Sequence, residues 1–344
     1  MKIMIFDVPA ENGGGALTIL KHYYEKAIED KKNTYYFVIS TPNLYETKNI
    51  IVLRYPWVKK SWFHRLVFDF FIAYKLVEKY KIEKVISLQN LIIPKVKIKQ
   101  VLYLHQPLPF SEKRYKIKEN FKFWLYQNVI SKMIFYSINK ADKVIVQTEW
   151  MKKACKSYTS ISDKIIVEQP KLNITIKKTY KKGNDKNKIF FYPASSYIYK
   201  NHNIIVEAVE LLEKYDIKSY RVIFTLSGNE NNHINKLYQE IKNKNLPIDF
   251  VGKIPIEEVY DYYSKAILIF PSYIETFGLP MLEAKMHGCP IIASDCAFSH
   301  EVLDSYYNVK FFNPSNGKEL FEQMKNICLD VCLEKRDEIY EEYK

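Results

Sequence analysis

Glycine and cysteine are scarce in this chain, at nine and five of 344 residues, beside fourteen prolines. So little glycine and proline, without a period, excludes collagen-like and low-complexity architectures. The cysteines (Cys155, Cys289, Cys296, Cys328 and Cys332) are odd in number and irregularly spaced. They suggest neither a disulfide framework nor a zinc site, and reduced thiols in the cytosol are the expectation. Long apolar runs are also absent. Asp7 cuts the first run after Phe6, so no secretion signal is expected. No stretch reaches the roughly 18 uncharged apolar residues of a membrane-spanning helix. Acidic residues are outnumbered: 52 Lys and Arg against 39 Asp and Glu leave a net charge of +13. That balance points to an anionic partner without choosing among phosphates, an acidic membrane surface and nucleic acid. What the chain does contain is apolar material, 47% hydrophobic and 15% aromatic. This suffices for a folded protein, and the length favours two domains.

Short uncharged runs alternate with longer amphipathic ones. Strands are expected at Ile3–Phe6, Tyr35–Ser40, Lys84–Leu88, Gln100–Leu104 and Lys143–Gln147, with helices at Ala16–Glu29 and Lys60–Tyr80. Residues 171–188 break the pattern. They are lysine-rich, carry Gly183-Asn184-Asp185 in the middle and read as a solvated linker. Alternation then restarts. Strands are expected at Ile189–Tyr192, Tyr220–Leu226, Ile248–Val251, Ala266–Phe270 and Pro290–Ala293, separated by helices. The fold class is therefore α/β: two Rossmann-like domains, 1–170 and 189–325, facing each other across a cleft, with a last helical segment at 326–344. Parallel sheets bind ligands beyond the carboxyl ends of their strands.

Gly13-Gly14-Gly15 follows the first strand, but Thr18 stands where a dinucleotide fingerprint needs its third glycine. The second strand ends Val38-Ile39-Ser40-Thr41, without the acidic residue that holds a ribose, so an NAD enzyme is not expected. The glycines form either a plain tight turn or a close backbone approach to a ligand at a helix N-terminus.

The chemistry concentrates between Phe250 and Leu303. A strand ends at Phe270. The following loop carries Glu275, Gly278 allows backbone amides to approach a ligand, and Pro280 suits the first turn of a helix that bears Glu283. The N-terminus of such a helix favours a phosphate or sugar hydroxyls. Two glutamates eight residues apart across this junction either contact two parts of one elongated ligand or simply favour the helix start.

This stretch resembles the E-x7-E signature of GT-B retaining glycosyltransferases of family 4. Phe250-Val251-Gly252-Lys253 and Gly288–Asp295 resemble the flanking strand ends, and Tyr192–His202 resembles the loop carrying a phosphate-binding lysine, here Lys200. In the first half the similarity rests on Gly13–Gly15 and on Leu104-His105-Gln106-Pro107. The resemblance implies a retaining, metal-independent transferase that needs no cofactor and takes a UDP-, GDP- or dTDP-linked sugar as co-substrate. Glu283 would hold the ribose, and Glu275 the donor sugar. Thr276, Phe277, Gly278 and Leu279 would meet sugar and phosphate, Lys200 the diphosphate, and Gly252 and Lys253 the base. Gly14 and Gly15 would also touch the donor. His105, Lys200 and Glu275 would be the catalytic set, with no metal ligands. Family members usually carry an Arg six residues before the lysine, where this chain has Ala194.

The implied acceptor is a glycan or lipid-linked saccharide, bound by the first domain, in cell-surface polysaccharide synthesis. The alternatives are a nucleotide-sugar epimerase, a phosphorylase, or a degenerate subunit serving another transferase. Val58–Lys75 and Phe110–Phe135 mix aromatics with Lys and Arg. That is either a core-facing stripe with a basic outer face or a peripheral contact with an anionic membrane, which would fit a cytoplasmic enzyme at the inner face of the cell membrane. No nucleic-acid motif accompanies the charge, so nucleic acid is set aside.

Overall fold

Runs rich in Ile, Val, Phe and Tyr become the buried strands of two parallel sheets in the computed structural model, which describes residues 1–159, 163–170, 174–181 and 187–329. The chain divides into two compact units, 1–171 and 172–344. The first holds β1 (Lys2–Asp7), β2 (Thr34–Ile39), β3 (Ile50–Arg54), β4 (Lys84–Ser87), β5 (Lys99–Tyr103), β6 (Lys143–Val146) and β7 (Ile165–Val167), in the order β3-β2-β1-β4-β5-β6-β7. The second holds β8 (Lys188–Tyr192), β9 (Tyr220–Phe224), β10 (Ile248–Phe250), β11 (Ile267–Phe270), β12 (Ile291–Ser294) and β13 (Val309–Phe312), in the order β10-β9-β8-β11-β12-β13. Each sheet changes direction once, between β1 and β4 in the first unit and between β8 and β11 in the second. At such a switch point the loops on either side run apart and leave a crevice at the carboxyl ends of the strands.

Both faces of the first sheet are covered. Ile3, Ile5, Phe37 and Ile39 pack under the helix Gly15–Glu29, while Met4, Phe6, Val38 and Val85 pack against Phe68, Ala73 and Val77. Two-sided burial is why these strands read as unbroken apolar runs instead of alternating ones.

The sequence pattern differs from the structure in several places. The strands β3, β7 and β13 lie outside the expected set. The expected helix Lys60–Tyr80 is broken into a 3₁₀ turn (Pro56–Lys60), a helix capped by Ser61 (Trp62–Val67), a π-helical bulge (Phe68–Ile72) and a final helix (Ala73–Lys79). The bulge lets consecutive Phe68 and Asp69 both be buried, which regular helical spacing resists. Within the expected linker, residues 171–173 and 182–186 lie outside the described residues, and Lys188 already belongs to β8. Residues 178–181 are tied to the second unit while Lys178, Thr179 and Lys181 stay exposed. The Tyr180 amide donates to the His287 carbonyl at 2.7 Å, the Lys181 amide to the Ser264 carbonyl at 3.2 Å, and Lys178 pairs with Asp261 at 2.7 Å. His287 and Ser264 follow helix ends, where carbonyls lack intrahelical partners and accept from a passing strand of chain. Of the expected terminal segment 326–344, residues 330–344 lie outside the described residues. Residues 326–328 end the helix Gly317–Cys328, whose Phe321 stacks on Tyr215 at 5.3 Å within the second unit.

Candidate active site

The switch point of the second sheet gathers the site. The loop after β8 carries Lys200, and the loop after β11 carries Glu275. Lys200 Nζ forms an ion pair with Glu275 Oε1, and each side chain is 16% exposed. Both ends are held from behind. The Tyr192 hydroxyl donates to the Lys200 carbonyl at 2.7 Å, and Ser272 Oγ donates to Glu275 Oε1 at 2.8 Å. Asn201, at φ 61°, turns the β8 loop into its helix, and its amide donates to the carbonyls of Pro271 (3.3 Å) and Pro314 (2.8 Å). The rings of Tyr199 and Phe270 flank Lys200 Nζ at 5.7 and 5.9 Å. The pair thus sits in a partly desolvated aromatic wall, where an arriving anion would compete with Glu275 for the lysine.

Thr276 and Phe277 are buried, and Gly278 adopts φ 88° immediately before the helix Leu279–Met286. The left-handed backbone calls for glycine, and a Cβ there would lie 2.6 Å from Met281 Cε, the end of a side chain that would have to shift. Glu283 lies one turn into the helix. The buried Tyr263 hydroxyl donates to its Oε2 at 3.2 Å. Burial pushes the Glu283 carboxyl up to about 7, with the Tyr263 bond opposing. A carboxylate kept poorly solvated gains most when a ligand brings hydroxyl donors to it.

Gly252 and Lys253 follow β10, two strands from β8 and away from the ion pair. Gly252 adopts φ 74°, its amide donates to the Leu226 carbonyl at 2.9 Å, and Lys253 is exposed. Ala194, in the β8 loop, is half-buried. In the first unit, Gly14 (φ 79°) caps the helix beginning at Gly15, and both glycines are exposed. His105 follows β5. Its amide donates to Asn90 Oδ1 at 2.8 Å, and its ring lies 5.9 Å from that of Tyr103. Burial lowers the imidazole to about 4, so at neutral pH it is an uncharged ring with one N–H donor and one acceptor nitrogen. The sequence pattern therefore assembles Lys200, Glu275, the 276–279 turn and Glu283 in one unit, with Gly14, Gly15 and His105 in the other. It misses Ser272 and Tyr263, which support the two glutamates. A serine three residues before a glutamate and a tyrosine on another helix carry no local signal of that role. Among the described residues no three His, Cys, Asp or Glu side chains gather as a metal site.

The description of glycosyl transferases group 1 matches residues 174–344. The O-antigen chain mannosyltransferase RfbU of Salmonella typhimurium is 25% identical over 299 residues, covering 85% of this chain and 76% of that protein. Among solved structures, sucrose-phosphate synthase of Thermosynechococcus elongatus superposes with a TM-score of 0.73 at 17% identity, covering 96% of this chain and 90% of that one. Anabaena HepE in complex with UDP and glucose superposes with a TM-score of 0.69 at 16% identity and the same coverage. The chain has the GT-B fold and is a glycosyltransferase, its second half being similar to the glycosyl transferases group 1.

Proposed function

We propose that this enzyme transfers a sugar, with retention and without a metal, from a nucleoside-diphosphate sugar to a saccharide acceptor during cell-surface polysaccharide synthesis. The observation that carries this reading is the Lys200–Glu275 pair at the switch point of the second sheet, with Ser272 behind it and Glu283 one turn into the adjoining helix. Similarity to an O-antigen chain mannosyltransferase supports the pathway, and the neighbour solved with UDP and glucose supports the donor class. Lys200 takes the diphosphate, Glu283 the ribose, Glu275 the donor sugar, and the 276–279 amides sugar and phosphate. Gly252 and Lys253 lie toward the base, while Gly14, Gly15 and His105 contribute from the first unit, which takes the acceptor.

A nucleoside diphosphate is a good leaving group, so the main demand is stabilisation of charge growing on its oxygens. Lys200 and the N-terminus of the helix Leu279–Met286 meet that demand. The departing phosphate takes the proton of the attacking hydroxyl on the same face of the sugar. His105, neutral, orients a hydroxyl.

Membrane contact belongs to the same proposal. Trp62 (50% exposed), Phe63 (71%), Phe71 (58%) and Phe121 (57%) are open to solvent, and Lys60, Lys118 and Lys122 are exposed nearby in the chain. Trp62 touches the Tyr126 ring at 6.2 Å, joining the two segments. An apolar aromatic surface with lysines suits an anionic bilayer and a lipid-linked acceptor at the inner face of the cell membrane. No helix of the described residues is long and apolar enough to cross a membrane.

The test is a thermal-shift panel of UDP, GDP, dTDP and their hexose conjugates, followed by transfer assays with the conjugate that binds. Saturating ligand at a hundred times its Kd adds about 2.7 kcal/mol. One diphosphate should shift the melting point, and product should form only with acceptor present. Turnover of the sugar nucleotide without acceptor would favour an epimerase.

A further inference from the structure

Tyr263 is the last residue of the helix Ile256–Tyr263, which packs beside the helix Leu279–Met286. Its hydroxyl donates to Glu283 Oε2 at 3.2 Å, and no donor among the described residues meets Glu283 Oε1. The Tyr263 ring is fully buried, edge-on to Phe191 with centroids 5.9 Å apart and 5.7 Å from the ring of His287. His287 Nδ1 in turn donates to the Glu283 carbonyl at 2.7 Å, so one pair of rings grips both ends of this residue. A packed tyrosine fixes its hydroxyl through two side-chain torsions, whereas a glutamate left to itself turns about three. Were Glu283 to swing outward, the Tyr263 hydroxyl would become a buried donor with no other acceptor among the described residues, which disfavours the move. Burial holds that hydroxyl protonated well above its ordinary range, so it remains a donor. Its bond opposes the rise that burial imposes on Glu283 and so favours the ionised, accepting form of the carboxyl.

We propose that Tyr263 is a positioning residue, which holds Glu283 in its accepting orientation and thereby sets a preference for ribonucleoside over 2′-deoxyribonucleoside diphosphates. This rests on reading Glu283 as the ribose contact. With Oε2 engaged by Tyr263, the carboxylate is anchored on one side and presents Oε1 to the ligand. The two neighbouring hydroxyls of a ribose bring two donors to that carboxylate, and a 2′-deoxyribose brings one. A fixed, poorly solvated acceptor cannot turn away to find a replacement, so the missing hydroxyl is felt in full. A glutamate without its anchor would relax toward water and discriminate less. Tyr263 touches no ligand in this arrangement and acts through Glu283 alone. Lys200, on the loop after β8, meets the diphosphate separately, so the affinity for phosphate groups does not pass through Tyr263. The preference narrows the donor to UDP- or GDP-linked sugars and disfavours dTDP, whose sugar lacks the 2′-hydroxyl.

The experiment is calorimetric titration of the full chain with UDP, GDP, their 2′-deoxy counterparts and inorganic pyrophosphate. In the wild type, the diphosphate that binds should bind about tenfold or more tightly than its 2′-deoxy counterpart. Tyr263→Phe should lower that ratio about threefold or more, while pyrophosphate affinity stays within about twofold. In a Glu283→Gln background, Tyr263→Phe should change the ratio no further, because its effect passes through the carboxylate. A merely structural tyrosine would instead weaken nucleotide, deoxynucleotide and pyrophosphate together and add to the effect of Glu283→Gln. If Tyr263→Phe fails to fold, Tyr263→4-aminophenylalanine keeps the ring with a weaker donor and should lower the ratio about twofold. An undiminished ratio in the folded variant, or an equal loss for pyrophosphate, overturns the positioning role alone. Equal binding of the ribo and deoxy forms by the wild type overturns it together with the ribose contact of Glu283. Binding of no nucleotide at all overturns the functional reading as a whole.

Discussion

Lys200 and Glu275 neutralise each other across 75 residues of sequence, and Ser272 holds the same Glu275 oxygen from the other side at 2.8 Å. A diphosphate that draws Lys200 away therefore leaves Glu275 on Ser272, available to a sugar hydroxyl. The ligand-free pair keeps both side chains in place without leaving either charge buried alone.

Removing one partner should be costly. Lys200→Ala should destabilise the protein by about 3 kcal/mol, because it leaves a largely buried carboxylate uncompensated. It should also weaken nucleoside-diphosphate binding by about tenfold or more, since it removes a charge-assisted contact. Glu275→Gln should bind the diphosphate at least as well as the wild type, because Lys200 is freed, yet lose most sugar transfer. Urea unfolding and calorimetric titration measure both effects. Full transfer by Glu275→Gln would remove the proposed sugar contact.

Glu283 makes stability depend on pH. Its carboxyl titrates at about 7 when folded against 4.5 when exposed, so folding takes up protons between those values. Stability from this group is therefore highest below about pH 4.5, declines as pH rises through 7 and is level above it, a span on the order of 3 kcal/mol. Glu283→Gln should flatten that slope in chemical denaturation while weakening nucleotide binding. An unchanged slope would mean that the carboxyl is not desolvated.

Gly278→Ala should lower stability by about 1–2 kcal/mol, because an L side chain at φ 88° is strained and its Cβ meets Met281. Transfer activity should fall further than stability does, since the 276–279 turn shifts. Melting curves and turnover on the same preparations separate the two, and an alanine variant with native turnover would contradict the proposed contact of this turn.

The exposed aromatics of the first unit should bind vesicles containing phosphatidylglycerol more tightly than phosphatidylcholine vesicles. Trp62→Ala, Phe63→Ala and Phe71→Ala combined should weaken vesicle partitioning by about a hundredfold or more, each side chain being worth roughly 1.5–3 kcal/mol when fully buried in an apolar phase. Equal binding by the triple variant would return these residues to an ordinary solvent-facing role.

The sequence pattern made one part of the candidate site legible because that part is local. Glu275, Gly278, Pro280 and Glu283 lie on a single strand–loop–helix passage, where spacing along the chain is nearly spacing in the fold. The apolar runs at Ile3–Phe6 and Ala266–Phe270 likewise reveal strands covered on two faces. β13 escapes notice because Val309–Phe312 includes Lys310 and is only partly buried. The lysine-rich stretch before β8 reads as linker from its composition, which does not reveal that Tyr180 and Lys181 donate to helix-end carbonyls.

Residue order by itself determined the α/β class, the chemistry available to the site and the turn that only Gly278 fits, since these depend on side-chain identity and on backbone torsions within a few residues. The tertiary structure decided which distant groups meet. Sheet order puts the β8 loop beside the β11 loop, joining Lys200 to Glu275. It also puts the ends of β1, β4 and β5 side by side, lining Asp7, Gln89 and His105 along one edge. Nothing in either neighbourhood's local sequence specifies the other, because packing of the two faces of a sheet, not spacing along the chain, selects which strands become neighbours.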